Sequence, residues 1–262
     1  MKRTLFVLSA IIILLTFTAC EGLDKILQTN VYSGLGKVSA KEISKADADT
    51  LVELGKSPSF FDTLKGNPGL TSDVLDTIND AIGKASSAED KQNLNMLAAE
   101  IQLQTSGGAV LVNNIASILA NPQGLDGLDN PDDLEGFFIS ILPPGIVSGG
   151  VIQEAGFVAL INGFVAANEY YEALDGALGS GGYADSDVSP GEVAQAAIVS
   201  ALVSTIAKSV EGVSGSSAGE KLYAFTQGTG GTFTKLDFDN SFFDSISNIL
   251  AAASLPEFGF GN

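Results

Sequence analysis

Histidine and tryptophan are absent from the 262 residues, and cysteine occurs once, at position 20. Each absence removes a class of chemistry. A serine hydroxyl is a weak nucleophile until a neighbouring base accepts its proton, and the usual imidazole base is missing from the whole chain. Transition-metal sites draw mainly on His and Cys, so only carboxylate sites suited to calcium or magnesium stay open. A lone thiol cannot form an internal disulfide, and the fold must rest on packing. Basic residues are few: 13 Lys and Arg stand against 31 Asp and Glu, a formal charge of −18. With no basic patch to neutralise phosphates, nucleic acid is not expected as a partner. Charged residues make up only 17% and hydrophobic ones 45%, which separates the chain from disordered acidic tails.

What is present begins with Met1-Lys2-Arg3, a short positive segment, followed by residues 5–19, where Ser9, Thr16 and Thr18 are the only polar members. This is the charged n-region and apolar h-region of an export signal. It is shorter than the ~20 apolar residues a membrane-spanning helix needs. The run ends in Phe17-Thr18-Ala19-Cys20. That tetrapeptide resembles the lipobox of bacterial lipoproteins: Thr18, Ala19 and Cys20 fit the pattern, and Phe17 stands where Leu is usual. The resemblance implies a diacylglycerol thioether on Cys20, cleavage before it and palmitate-type acylation. Two or three chains give stable anchoring where one gives only marginal binding.

On this reading residues 1–19 are a lipoprotein signal peptide, 20–38 the lipidated N-terminus and tether, and 39–262 one helical domain. The expected location is the bacterial cell membrane, lipid-anchored, with the inner membrane, the periplasmic face of an outer membrane and the cell surface all open. Loss of Lys2 and Arg3 with the signal leaves eleven basic residues against 31 acidic ones, a formal charge of −20. The acyl anchor then supplies membrane affinity without help from anionic head groups.

The domain reads as all-α. Ser39-Ala40-Lys41-Glu42 and Ser86-Ser87-Ala88-Glu89 are capping-box patterns, and Ser189-Pro190-Gly191-Glu192 adds proline at the first helical position. Apolar stripes at helical spacing follow, among them Ile43, Ala46, Leu51 and Leu54 in one helix, then Val74, Leu75, Ile78 and Ile82. Asn67-Pro68-Gly69 reads as a turn, and Gly107-Gly108 as a break. The densest apolar region is 145–178, whose stretch "AGFVALINGFVAANEYYEAL" is charge-free between Glu154 and Glu169. Gln153, Glu154 and Asn162 make it a buried core helix rather than a membrane span. The helix over 193–207 is apolar nearly all round and is expected at the centre of the fold. "KLYAFTQGTGGTFTKLDF", 221–238, changes to a two-residue alternation about a Gly-rich turn and predicts a small β-hairpin.

Apparent catalytic motifs are weaker on inspection. Gly215-Ser216-Ser217-Ala218-Gly219 has the spacing of a nucleophile elbow, but no strand precedes it and no base is available. The nearest lysine, Lys221, lies in a Gly/Ser stretch. Gly55-Lys56-Ser57 imitates the end of a P-loop without its first glycine, since Thr50 stands there. The acidic cluster from Asp126 to Asp133 lacks the alternate oxygen ligands of a calcium loop. Glu154 and Glu169 would sit ~22 Å apart on one helix at ~1.5 Å per residue, too far to share a substrate unless the helix breaks at Gly163. No catalytic residue, cofactor or metal ligand is therefore expected. The expected function is a non-enzymatic helical scaffold or interaction module, lipid-anchored through Cys20 and partnered by an envelope protein. The alternative is a binder of an apolar small molecule or lipid in the Ala-, Gly- and Phe-rich interior.

Overall fold

The computed structural model of the chain describes residues 37–120, 142–177, 188 and 190–227. The class is all-α with one small hairpin. Nine helices occur among the described residues: α1 (Ala40–Ile43), α2 (Ala48–Gly55), α3 (Pro58–Lys65), α4 (Pro68–Lys84), α5 (Ala88–Ser106), α6 (Gly108–Ala120), α7 (Glu154–Ala177), α8 (Pro190–Ser209) and α9 (Ala218–Thr226). A two-stranded antiparallel sheet, β1 (Val147–Ser148) and β2 (Val151–Ile152), precedes α7.

Local signals set most of these boundaries. Ser39 and Glu42 form the full capping box: Glu42 N donates to Ser39 Oγ at 3.3 Å, and Ser39 N to Glu42 Oε2 at 2.7 Å. The expected single helix from Ser39 to Gly55 is two helices. Asp47 interrupts it by capping α2, accepting from Thr50 N at 2.9 Å. At the second predicted box the cap is Ser87 rather than Ser86, with Asp90 N as its donor at 2.9 Å. Asn67-Pro68-Gly69 is not a free turn, because Pro68 opens α4 from the first helical position. Gly107 ends α5 with φ of 86°, a left-handed cap that glycine adopts without steric cost. Pro190 opens α8 as expected, while Ser189 lies outside the described residues.

Two apolar cores share α5. Ile43, Leu51, Phe60, Leu64, Val74 and Ile78 of α1–α4 meet Leu94, Leu97, Ala98 and Ile101 on one side of it. On the other side Met96, Ala99 and Leu103 join Phe157, Leu160, Ile161, Phe164 and Tyr171 of α7, Val193, Ala196 and Val199 of α8, and Leu222 and Phe225 of α9. A helix buried on two faces shows no clean amphipathic stripe, which is why 94–99 is buried without interruption. Phe164 is 1% exposed, Phe157 and Leu160 are 0%, and each is worth ~1.5–3 kcal/mol of transfer free energy.

The central helix is α7, not α8. It packs against α5, α6, α8 and α9. Small residues allow this: Gly163 lies against Ser106 of α5, and Gly219 of α9 lies against Val158. No helix among the described residues is long and apolar enough to cross a membrane. The apolar 24-residue α7 is thus a buried core helix.

The hairpin sits elsewhere than expected. Residues 221–226 are helical: Ser217 accepts from Glu220 N at 3.3 Å, and Leu222 and Phe225, spaced i, i+3, are both buried. The alternation of Tyr223 and Phe225 is a by-product, since Tyr223 packs against Phe157 at 6.2 Å between ring centroids. The rest of the predicted hairpin, from residue 228, lies outside the described residues. The observed hairpin pairs Val147 with Ile152 and Ser148 with Val151 about Gly149-Gly150. Both glycines have positive φ, 59° and 78°, as a two-residue hairpin turn of type I′ requires.

Candidate functional site

The predicted site residues separate on the structure. Cys20 and the Asp126–Asp133 cluster lie outside the described residues. Glu154 and Glu169 are both exposed on the unbroken α7, so no bend at Gly163 brings them together. In the P-loop look-alike, Gly55 ends α2, Lys56 pairs with Glu53 at 2.8 Å, and Ser57 is buried with its Oγ 3.0 Å from Ser59 Oγ. Among the described residues no group of three or more carboxylate or thiol side chains is placed to hold a metal ion.

The nucleophile-elbow look-alike has a structural use. Ser217 caps α9, and Glu220 folds back to accept from Ser216 N at 2.7 Å and Ser216 Oγ at 2.5 Å. These bonds hold the Glu220 carboxyl below its ordinary value. Gly219 N donates to Asn162 Oδ1 at 3.0 Å, seating the start of α9 on α7. Ser217→Ala is therefore expected to cost about 1 kcal/mol of stability through the lost cap. Neither wild type nor variant is expected to take up a fluorophosphonate probe; labelling abolished by Ser217→Ala would overturn the non-catalytic reading.

The polar group that stands out is half-buried where α5, α7 and α8 meet. Antiparallel packing of α5 and α7 places Gly163 beside Ser106 at one end and Tyr171 towards Glu100 further along. From α8, Gln195 reaches both helices. Its Nε2 donates to Glu100 Oε1 in a short hydrogen bond and lies 3.3 Å from the Tyr171 hydroxyl oxygen. Gln104 Nε2 stands 3.5 Å from the second carboxylate oxygen, Glu100 Oε2.

Glu100 is half-buried, as are Gln104, Gln195 and Glu192, while Tyr171 is buried. Burial, and then the negative charge of Glu192, push this carboxyl up to about 7, against smaller opposing effects of the Gln104 and Gln195 hydrogen bonds. Burial also raises Tyr171, with Glu100 as the second cause. Chemically the cluster can hold or release one proton near neutral pH.

Glu100 was not among the residues picked out from the sequence, although a signal was there. In "MLAAEIQLQ" it stands among Leu, Met, Ala and Ile, with Met96, Leu97, Leu103 and Gln104 three and four residues away. No basic residue stands at those spacings to pair with it as on a solvated helix face. A groove over α1 and α2, lined by Lys41, Glu42, Lys45, Ala46, Asp47 and Leu54 among others, is open to solvent.

Comparison with protein-family models, curated proteins and solved structures finds no match for this chain.

Proposed function

We propose that the protein is a cell-envelope lipoprotein, anchored through acylated Cys20, whose helical domain acts as a non-enzymatic scaffold for a protein partner in the envelope. The observation that carries the scaffold over the ligand-binding alternative is how the interior glycines are used. A Cβ at Gly163 would meet Ser106 Cβ at 2.2 Å, at Gly219 the Val158 carbonyl oxygen at 2.6 Å, and at Gly108 Leu103 and Phe164 at 2.9 Å. These glycines bring helices into contact; they do not line an open chamber. Such close packing favours a rigid body that presents its surface.

Charge distribution supports the orientation. Residues 20–65 carry six lysines against seven acidic residues, and residues 66–262 carry five against 24. The end next to the tether is nearly neutral, and the remainder would be repelled from an anionic lipid surface. The chain enters the domain at a fixed point: Val38 N donates to Ser59 Oγ at 3.0 Å, and Thr63 Oγ1 donates to Val38 O at 2.8 Å.

Labelled palmitate is expected to enter wild type and not Cys20→Ser, and the variant should leave the membrane fraction. Equal labelling of both, or of neither, overturns the anchor. In-cell crosslinking joined to native mass spectrometry tests the role. An envelope protein crosslinked to a ligand-free chain supports the scaffold, and a co-purifying lipid or apolar molecule supports the alternative.

A further inference from the structure

The junction of α5, α7 and α8 holds a half-buried polar cluster beside the apolar core. Through one side chain, Gln195, the opening turns of α8 are tied both to Glu100 of α5 and to Tyr171 of α7. The titratable groups that act there are Glu100 from α5, Tyr171 from α7 and Glu192 from α8; Gln104 and Gln195 are neutral. Among the described residues none of the groups acting on Glu100 is a cation. Two carboxyl groups thus share the junction with amides and a phenol.

We propose that this cluster is a proton-operated latch: with Glu100 protonated the first turns of α8 close on α5 and α7, and loss of that proton loosens residues 190–196 from them. In the closed form a neutral carboxyl satisfies its surroundings. Its carbonyl oxygen accepts from Gln195, and its O–H can donate to the amide oxygen of Gln104 once that amide turns over, since the two ends of an amide are interchangeable by rotation. The ionised form places a charge in a low-dielectric site beside Glu192, with two amide donors as its compensation. Opening lets water reach it. Val199 and Val203 hold the later part of α8 in the core, so the movement is confined to its start. The same movement uncovers Val193 and Ala196, each 1% exposed when closed, and so makes an apolar strip available at higher pH.

The test is amide hydrogen exchange on the protein purified from cells in detergent, read by mass spectrometry from pH 5 to 8 and corrected for intrinsic exchange. Peptides covering 190–196 are compared with those covering 199–206. Protection of 190–196 is expected to fall by about tenfold or more as pH rises, levelling off above neutrality, while 199–206 holds. Glu100→Gln is expected to stay protected across the range. Glu192→Gln should show a smaller loss that levels off at lower pH. An unchanged profile in wild type, or the same loss in Glu100→Gln, overturns the latch. Should Glu100→Gln fail to fold, carboxyl-carbon NMR of wild type decides: titration of Glu100 near neutral pH supports the proposal, and titration in the ordinary glutamate range overturns it.

Discussion

Gly163→Ala is expected to destabilise the protein by about 2 kcal/mol or more, although the same exchange in an open helix is stabilising. Replacing a mid-helix glycine with alanine ordinarily gains ~0.5–1 kcal/mol, because glycine loses more backbone freedom on folding. At Gly163 the new Cβ would lie 2.2 Å from Ser106 Cβ and 2.3 Å from its Oγ, with Gln102 O at 3.3 Å. Rotation of Ser106 can move its hydroxyl but not its Cβ, whose position the backbone fixes. The α5–α7 contact must therefore widen, and overpacking of this kind costs ~1–3 kcal/mol.

Gly219→Ala should behave alike, because the atoms it meets, Val158 O at 2.6 Å and Val158 Cα at 2.9 Å, both belong to backbone. Gly83 in α4 is the control: nothing lies within 4 Å of its added Cβ, so Gly83→Ala should gain up to ~0.5 kcal/mol near the helix end. Ser106→Gly combined with Gly163→Ala removes the obstructing atom and should recover part of the loss, seen as coupling in a double-mutant cycle. Urea unfolding of these four variants and of Ser106→Gly alone measures all of this. Gly163→Ala at or above wild-type stability would show that the two central helices are not in close contact there.

The sequence made the helical class legible through signals that act over three or four residues. Ser39 with Glu42, Pro58, Pro190 and Gly107 each fix a helix end by local chemistry, and each stands where that chemistry placed it. What was illegible depends on neighbours distant in the chain. The choice of α7 over α8 as the central helix turns on Gly163 and Gly219 meeting partners 57 or more residues away, which no apolar stripe encodes. The hairpin was misplaced because Tyr223 and Phe225 alternate as a strand would, while Ser217 with Glu220 and Leu222 with Phe225 carry a helical pattern through the same residues. The hairpin among the described residues has only two residues on each side, too short for any alternation to show. Glu100 was hidden for a related reason: its acidity speaks for a surface, and only the pairing of α5 with α7 and α8 partly encloses it against Gln195.

That enclosure sets the second large effect, a loss of stability between about pH 4.5 and 7 that Glu100→Gln removes. The folded carboxyl titrates at about 7 against an ordinary value of 4.5. A group raised in this way binds more protons folded than unfolded throughout that window. Its contribution is complete below the unfolded value and is lost as pH rises through the folded one. At ~1.4 kcal/mol per pH unit the limit is ~3.5 kcal/mol, and the partial solvent contact of the residue and local opening at α8 reduce it to roughly 2 kcal/mol.

Glu42, Asp47 and Glu220 work in the opposite sense. Their hydrogen bonds to helix-start groups hold them below their ordinary values, so what they contribute is lost only as pH falls through the folded values, below the Glu100 window. The acidic excess of the chain also disfavours the compact state as carboxylates ionise, but it does so equally in wild type and variant. The difference between the two therefore isolates Glu100. Urea midpoints at pH 5 and pH 8 should separate for wild type and nearly coincide once this common background is subtracted for Glu100→Gln, which should be the more stable of the two at pH 8. Parallel pH profiles for the two proteins would mean that Glu100 is ionised and solvated in the folded state, and would remove the cluster as a proton-binding element.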